Sequence, residues 1–223
     1  MKSFFNNKIL IYLFPFILGL VTSYSLPPYN FIFYNFLTFP LLFLFLINNK
    51  DNKWNSFKIG WTFGFGYFIS NIYWITNSLT FDEIFRPLIP IAFIVIPLFL
   101  GIFYGFINLI ASYFRLRKNF QSILIFSVIF SLIEFLRGFI FGGFPWNLLV
   151  YSWVNYLYSI QILSFIGTYA FNLISITIFL FPLVLLFKKS WNFKISFFIS
   201  IFIILLSNHY YGYYKIEKDK NHF

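Results

Sequence analysis

The sequence predicts an all-α integral membrane protein, a bundle of about seven transmembrane helices. Three observations carry that reading. Of 223 residues, 60% are hydrophobic and only 10% charged, far below the roughly 25% charged fraction of soluble domains. The apolar residues lie in runs long enough to cross a hydrocarbon core of about 30 Å. The basic residues sit in short clusters between those runs, the pattern that sets the topology of a polytopic protein.

Seven runs follow in order: 9–24, 31–47, 59–79, 88–114, 122–140, 157–187 and 193–210. The shorter runs span with the help of their flanks, and the longer ones tilt. The sixth is long enough for an interfacial turn to precede its helix. Gly60–Gly64, Gly101–Gly105 and Gly138–Gly142 each have GxxxG spacing, which implies close helix approach rather than ligand contact. Residues 1–214 read as one multi-helix membrane domain and 215–223 as a short polar tail.

The basic residues orient the bundle. With the N-terminus in the cytoplasm, the inside segments carry Lys2, Lys8, Lys50, Lys53, Lys58, Arg115, Arg117, Lys118, Lys188, Lys189 and Lys194. The outside loops and the tail carry only Arg86, Arg137, Lys215, Lys218 and Lys220. This imbalance puts the C-terminus outside after seven crossings. Lys2 and Lys8 before the first run also fit a cleaved signal peptide, with Ser23 and Ser25 near a weak cleavage site. The charge balance fits a retained first helix better.

Several function classes are excluded. A formal net charge of +10 would suggest nucleic acid in a soluble domain, but no basic face is present, so no nucleic-acid partner is expected. Cysteine is absent, so this chain offers no disulfide, thiolate nucleophile or cysteine-held metal. Its two histidines, His209 and His222, lack metal-ligand spacing and build no Ser-His-Asp set readily. No metal, cofactor or catalytic residue is expected. The 38 Phe and 16 Tyr reflect compositional drift, so individual aromatics carry little functional weight.

The stretch 134–147, "EFLRGFIFGGFPWN", is the exception to the greasy pattern. Glu134 is the one acid well inside an apolar run, and a charge at mid-bilayer costs about 2.5–3.5 kcal/mol on insertion scales. Arg137 lies on the same helix face at i, i+3. The two groups pair and face the bundle interior or a wet cavity, or Arg137 snorkels to the interface. Gly142 and Gly143 weaken the helix and Pro145 ends it. Irregular backbone at this depth survives only where protein or cavity water satisfies it. Trp146 suits the interface. A structural ion pair with an ordinary interfacial anchor explains the same residues without any function.

This stretch resembles the signature of the apolipoprotein N-acyltransferases, a Glu-Trp-Leu-Arg run followed by Gly-Phe-Pro-Trp. Glu134, Leu136, Arg137, Gly143, Phe144, Pro145 and Trp146 match, and Phe135 replaces the usual Trp. Tyr151 and Ser152 look like that family's Gly-Tyr-Ser, with Val150 where Gly is usual. Further pieces agree in order. "LPPYN" at 26–30 resembles a proline pair after the first helix, and Pro40–Leu41 falls where a Pro-Leu recurs. "GWTFGFGYFISNIYWITNSL" at 60–79 is similar to the third helix, including Trp74 and Ser78. "QILSFIGTYAFN" at 161–172 resembles the run that opens the sixth helix. The resemblance covers about residues 10–185.

It implies a multi-pass protein of the bacterial inner membrane. The implied reaction is acyl transfer from a phospholipid to the amino terminus of a diacylglyceryl lipoprotein, through a covalent acyl-enzyme. In that family a nitrilase-like domain with a Glu-Lys-Cys triad follows the helices, and a final helix closes the chain. This sequence ends at Phe223, where that domain would begin. The expectation is therefore a truncated or split enzyme, inactive alone, whose partners are phospholipid, lipoprotein and, if split, a separate nitrilase-like chain. Glu134, Arg137, Pro145, Trp146, Tyr151 and Trp74 are the candidates for substrate entry and the outer mouth. Two other readings stand beside it: a non-catalytic lipid-binding or scaffold protein, and a small transporter. A single buried carboxylate without a second relay group weighs against transport.

Overall fold

Every regular element among the described residues is helical. The computed structural model describes residues 8–49 and 52–220; Lys2, Lys50 and His222 lie outside them. The α-helices are α1 (Lys8–Ser23), α2 (Asn35–Asn48), α3 (Lys53–Asn71), α4 (Ile89–Ala111), α5 (Phe120–Arg137), the single turn α6 (Leu163–Ile166), α7 (Thr168–Phe179) and α8 (Trp191–Lys220). Stretches of 3-10 helix join them, notably Tyr73–Thr80, Glu83–Leu88, Leu149–Trp153 and Phe181–Leu186.

Asparagines set two helix starts. The Asn52 side chain accepts from the N–H groups of Trp54 and Asn55, and Asn119 accepts from Ser122 N–H. Each satisfies first-turn donors that have no partner inside the helix. The cap at Asn52 starts α3 at Lys53, six residues before the apolar run begins.

Four helical stretches are long and apolar enough to cross a membrane: Glu83–Phe114, Phe120–Arg137, Thr168–Leu186 and Trp191–Lys218. Ile9–Ser23 and Ile32–Asn48 are shorter apolar helices. The seventh element, α3, has 19 residues and reaches about 28 Å at 1.5 Å per residue. It is less apolar because it sits between α1 and α4, packed against both. A helix clasped by protein does not have to be greasy all round.

Glycine makes that clasp close. A Cβ on Gly60 would run into the Tyr104 carbonyl, and one on Gly64 would meet the Tyr104 ring and Gly101. Gly101 and Gly105 face Trp61 and Phe57 in return. Two of the three GxxxG spacings thus build the α3–α4 contact, as small residues do when helix backbones approach. Gly19 and Gly66 do the same between α1 and α3, without a GxxxG spacing to announce it. The third spacing does not pack helices. Gly138 caps α5 beneath the Tyr169 hydroxyl, and Gly142 lies beyond the helix with nothing near it.

Other departures from the sequence reading have local causes. The run 59–79 is not one helix: α3 stops at Asn71, and Trp74 and Ser78 lie in the 3-10 stretch Tyr73–Thr80. The run 157–187 breaks at Gly167, which has φ +79°, so a turn and α6 precede α7. The polar segment after Tyr214 continues α8 as far as Lys220, which leaves its reading as a polar tail standing. Helix α8 therefore spans about 45 Å, more than the hydrocarbon core needs.

Helix α8 is peripheral. Its Asn208 donates to the Ser159 carbonyl at 2.9 Å, and its His209 and Tyr213 rings pack on Tyr158. Most of its apolar side chains, such as Phe202, Ile203 and Leu206, are exposed, as suits a lipid-facing helix. Two substitutions separate packing glycines from conformational ones. Gly60→Ala should cost about 3 kcal/mol or more by overpacking a backbone contact. Gly142→Ala should cost only about 1–2 kcal/mol, the left-handed penalty. Unfolding of both variants in detergent checks this, and equal losses would contradict the glycine clasp.

Candidate functional site

Glu134 and Arg137 sit on the last turn of α5, and both are buried, at 1% exposure. The guanidinium Nη2 lies 3.7 Å from the Glu134 Oε1. Tyr104 of α4 donates its hydroxyl to Oε1 at 2.9 Å, and Asn172 of α7 donates its amide to Oε2 at 2.5 Å. Three helices thus converge on one carboxyl group. Aromatic rings wall the Tyr104 side chain: Phe68 and Phe130 lie at 5.2 and 5.0 Å between centroids. A buried charge is tolerable when paired and hydrogen-bonded, and this one has both.

Arg137 turns outward along the bundle, into protein rather than solvent. Its Nη1 donates to the carbonyls of Phe144 and Trp146 at 2.8 and 2.9 Å. The guanidinium lies 5.2 Å from the Phe68 ring and 5.7 Å from Phe144. Arg137 does not snorkel, because the loop supplies the carbonyls that the interface would otherwise have to offer.

That loop is irregular and held at many points. Phe141, Gly142, Gly143 and Asn147 all have positive φ. At Gly143 a Cβ would also run into the Gly138 carbonyl, so glycine is required there. Tyr67 of α3 donates to the Asn147 carbonyl at 2.8 Å. The Val150 N–H donates to Asn172 Oδ1 at 2.9 Å, so one asparagine clamps both Glu134 and the loop. Asn35, at the start of α2, donates to Ser152 Oγ at 3.3 Å. The backbone polar groups of a membrane-depth loop need such partners.

Above this hub opens a cleft of about 540 Å³. Ser23, Leu26, Pro27, Pro28 and Tyr29 line one side, and Ser70, Asn71, Tyr73 and Trp74 another. Trp146, Asn147, Tyr151 and Val154 complete it. Trp74 and Trp146 meet edge to face, 6.4 Å between centroids. Two buried polar atoms of lining residues have no hydrogen-bond partner: Asn71 Nδ2, a donor, and Asn147 Oδ1, an acceptor.

The structure thus brings Trp74, Trp146 and Tyr151 to one cleft, together with the 26–29 proline loop. Pro145 is exposed on the same loop. Glu134 and Arg137 do not line the cleft; Arg137 holds the Trp146 carbonyl. Sequence reasoning missed Tyr104, Asn172 and Tyr67. Asn172 had a signal, as an amide inside an apolar run. Tyr104 had only its place between Gly101 and Gly105, and Tyr67 had none. No group of three or more His, Cys, Asp or Glu able to hold a metal occurs among the described residues.

These features define a polytopic helical membrane domain with an aromatic cleft built over a buried ion pair. Comparison with known proteins makes the class specific. Residues 18–179 match the apolipoprotein N-acyltransferase N-terminal domain, and the chain belongs to that family. Its relatives include the apolipoprotein N-acyltransferase of Brucella melitensis, 33% identical over 180 residues, which cover 76% of this chain and 34% of that protein. The Sinorhizobium medicae protein of the same name is 28% identical over 213 residues, covering 91% of this chain and 39% of its own length. The Agrobacterium fabrum one is 29% identical over 210 residues, covering 89% and 39%. The chain therefore spans well under half the length of these curated relatives.

The hub makes a thermodynamic prediction. Glu134→Gln or Arg137→Gln leaves the other charge buried and poorly compensated, a change that costs about 3–5 kcal/mol for buried pairs. Unfolding of both single variants and the double variant in detergent checks this. The double variant should cost less than the sum of the singles. Additive losses would show that the two groups act independently.

Proposed function

We propose that this chain serves as the membrane part of an apolipoprotein N-acyltransferase, admitting lipid-modified substrates sideways from the bilayer and presenting their polar ends to a catalytic centre. The observation that carries the reading is the cleft over the Glu134–Arg137 hub. Its walls combine apolar rings with the side-chain amides of Asn71 and Asn147. A lipid substrate has the same division, acyl chains joined to esters and amides. Trp74, Trp146 and Tyr151 contact the acyl-proximal part, and Pro145 shapes the rim. Arg137 is a positioning residue, acting through the Phe144 and Trp146 carbonyls.

The acyl donor is a membrane phospholipid and the acceptor a diacylglyceryl lipoprotein, with the cleft facing the periplasm and α1 starting in the cytoplasm of a bacterial inner membrane. Basic residues support this orientation. Lys53, Lys58, Arg115, Arg117, Lys118, Lys188 and Lys189 gather at the end of the bundle opposite the cleft, where positive charge favours the cytoplasm. The thiolate of an acyl-enzyme must come from outside these 223 residues, which contain no cysteine. A nitrilase-like catalytic domain, on this polypeptide or another, supplies it.

Three measurements test the reading. Reporter fusions after Lys118 and after Tyr214 should report opposite sides of the membrane; the same side for both would overturn the topology. The 223-residue chain, incubated with phospholipid and a diacylated lipopeptide, should give no triacylated product, and any product would demand a cysteine-free mechanism. A diazirine-bearing diacylated lipopeptide should crosslink within 24–29, 70–74 and 146–154, and Trp146→Ala should lower the yield. Crosslinks spread over α4 and α8 with none in the cleft would overturn substrate admission there.

A further inference from the structure

A second cleft lies at the opposite, basic end of the bundle. It holds about 480 Å³ between the start of α5, the turn after Phe181–Leu186 and the start of α8. Lys118, Lys188 and Lys189 stand at it, and Phe120, Val184, Phe187, Phe193 and Phe197 form its apolar walls. Phe197 closes one side, 6.1 Å from the Phe120 ring and 5.1 Å from Phe181. No acidic residue lines it. Lys194, nearby, is already committed: it donates to the Leu185 carbonyl at 2.7 Å and lies over the Trp191 ring. Helices α5 and α8 both begin here, so the positive ends of two helix dipoles add to the three lysines.

We propose that this cleft binds an anionic diacyl phospholipid, its phosphate between Lys118, Lys188 and Lys189 and an acyl chain along Phe120, Phe193 and Phe197. Charge complementarity selects the headgroup, and the phenylalanine wall selects a lipid over a soluble anion. Basic pockets between transmembrane helices attract anionic headgroups for the same electrostatic reason. The lipid adds to the Phe197 and Lys194 contacts that join the start of α8 to the core. This site is separate from the aromatic cleft and independent of the proposed acyl transfer.

Native mass spectrometry of the full chain, released from nanodiscs of mixed phosphatidylglycerol and phosphatidylcholine, tests the site. The parent should retain phosphatidylglycerol preferentially. The variant Lys118→Gln/Lys188→Gln/Lys189→Gln should lose about tenfold or more of that preference, and Lys58→Gln/Arg115→Gln/Arg117→Gln, equally charge-depleted at the same end, less than about twofold. Equal retention of both lipids by the parent overturns the proposal, as does an equal loss in the two triple variants, which would mark diffuse surface attraction. Displacement by inorganic phosphate overturns the lipid assignment. If the first triple variant does not fold, photoactivatable phosphatidylglycerol on the parent decides: crosslinks at Phe120, Phe193 or Phe197 support the site, and their absence overturns it.

Discussion

The structure depends on keeping one carboxyl group and one guanidinium inside a protein that is otherwise a solvent for hydrocarbon. Neither group can face lipid, and neither reaches water. Their needs therefore dictate the arrangement around them. Glu134 takes a hydroxyl from α4 and an amide from α7. Arg137 takes two backbone carbonyls from the loop beyond its own helix. In a low-dielectric interior such partners are worth more than in water, and their loss costs more. One ion pair thus fixes the mutual placement of three helices and the path of the loop.

The loop converts that constraint into a surface. Because its carbonyls bend inward to Arg137, its side chains at Pro145 and Trp146 stand outward. Asn172 repeats the device, joining the Glu134 carboxyl to the Val150 N–H. Positive φ at Phe141 and Asn147, rare for non-glycine residues, is tolerated because so many bonds overdetermine the backbone. The aromatic cleft is thus the outer side of a network whose inner side is charged. Its wall is apolar and held rigidly, while the charges stay sealed below.

The two ends of the bundle divide their chemistry. One end carries proline, tryptophan and asparagine around an aromatic cleft, and the other carries lysine around a phenylalanine cleft. Between them, α3 is less apolar and packed between α1 and α4, whereas α8 is long, apolar and nearly uncovered. Hydropathy alone ranks α8 above α3 as a membrane span. Packing reverses their importance to the core, since the glycine contacts of α3 with α1 and α4 leave no room for lipid.

Much was legible in the residues themselves. Apolar runs and clustered lysines determined the class, an all-helical membrane protein, and the order of the helices, because burial in a bilayer constrains length and charge directly. The i, i+3 spacing put Glu134 and Arg137 on one face, and Pro145 marked the end of the helix. The sequence could not say that α3 ends at Asn71 and lets Trp74 turn toward Trp146, since the apolar run continues unbroken to Leu79. It could not find Tyr104 or Asn172, which lie 30 and 38 residues from Glu134 and meet it only through helix packing. Local spacing determined which residues share a face of one helix. Only the tertiary structure decided which faces meet, because hydrogen bonds between helices join positions whose separation in the chain carries no periodic signal.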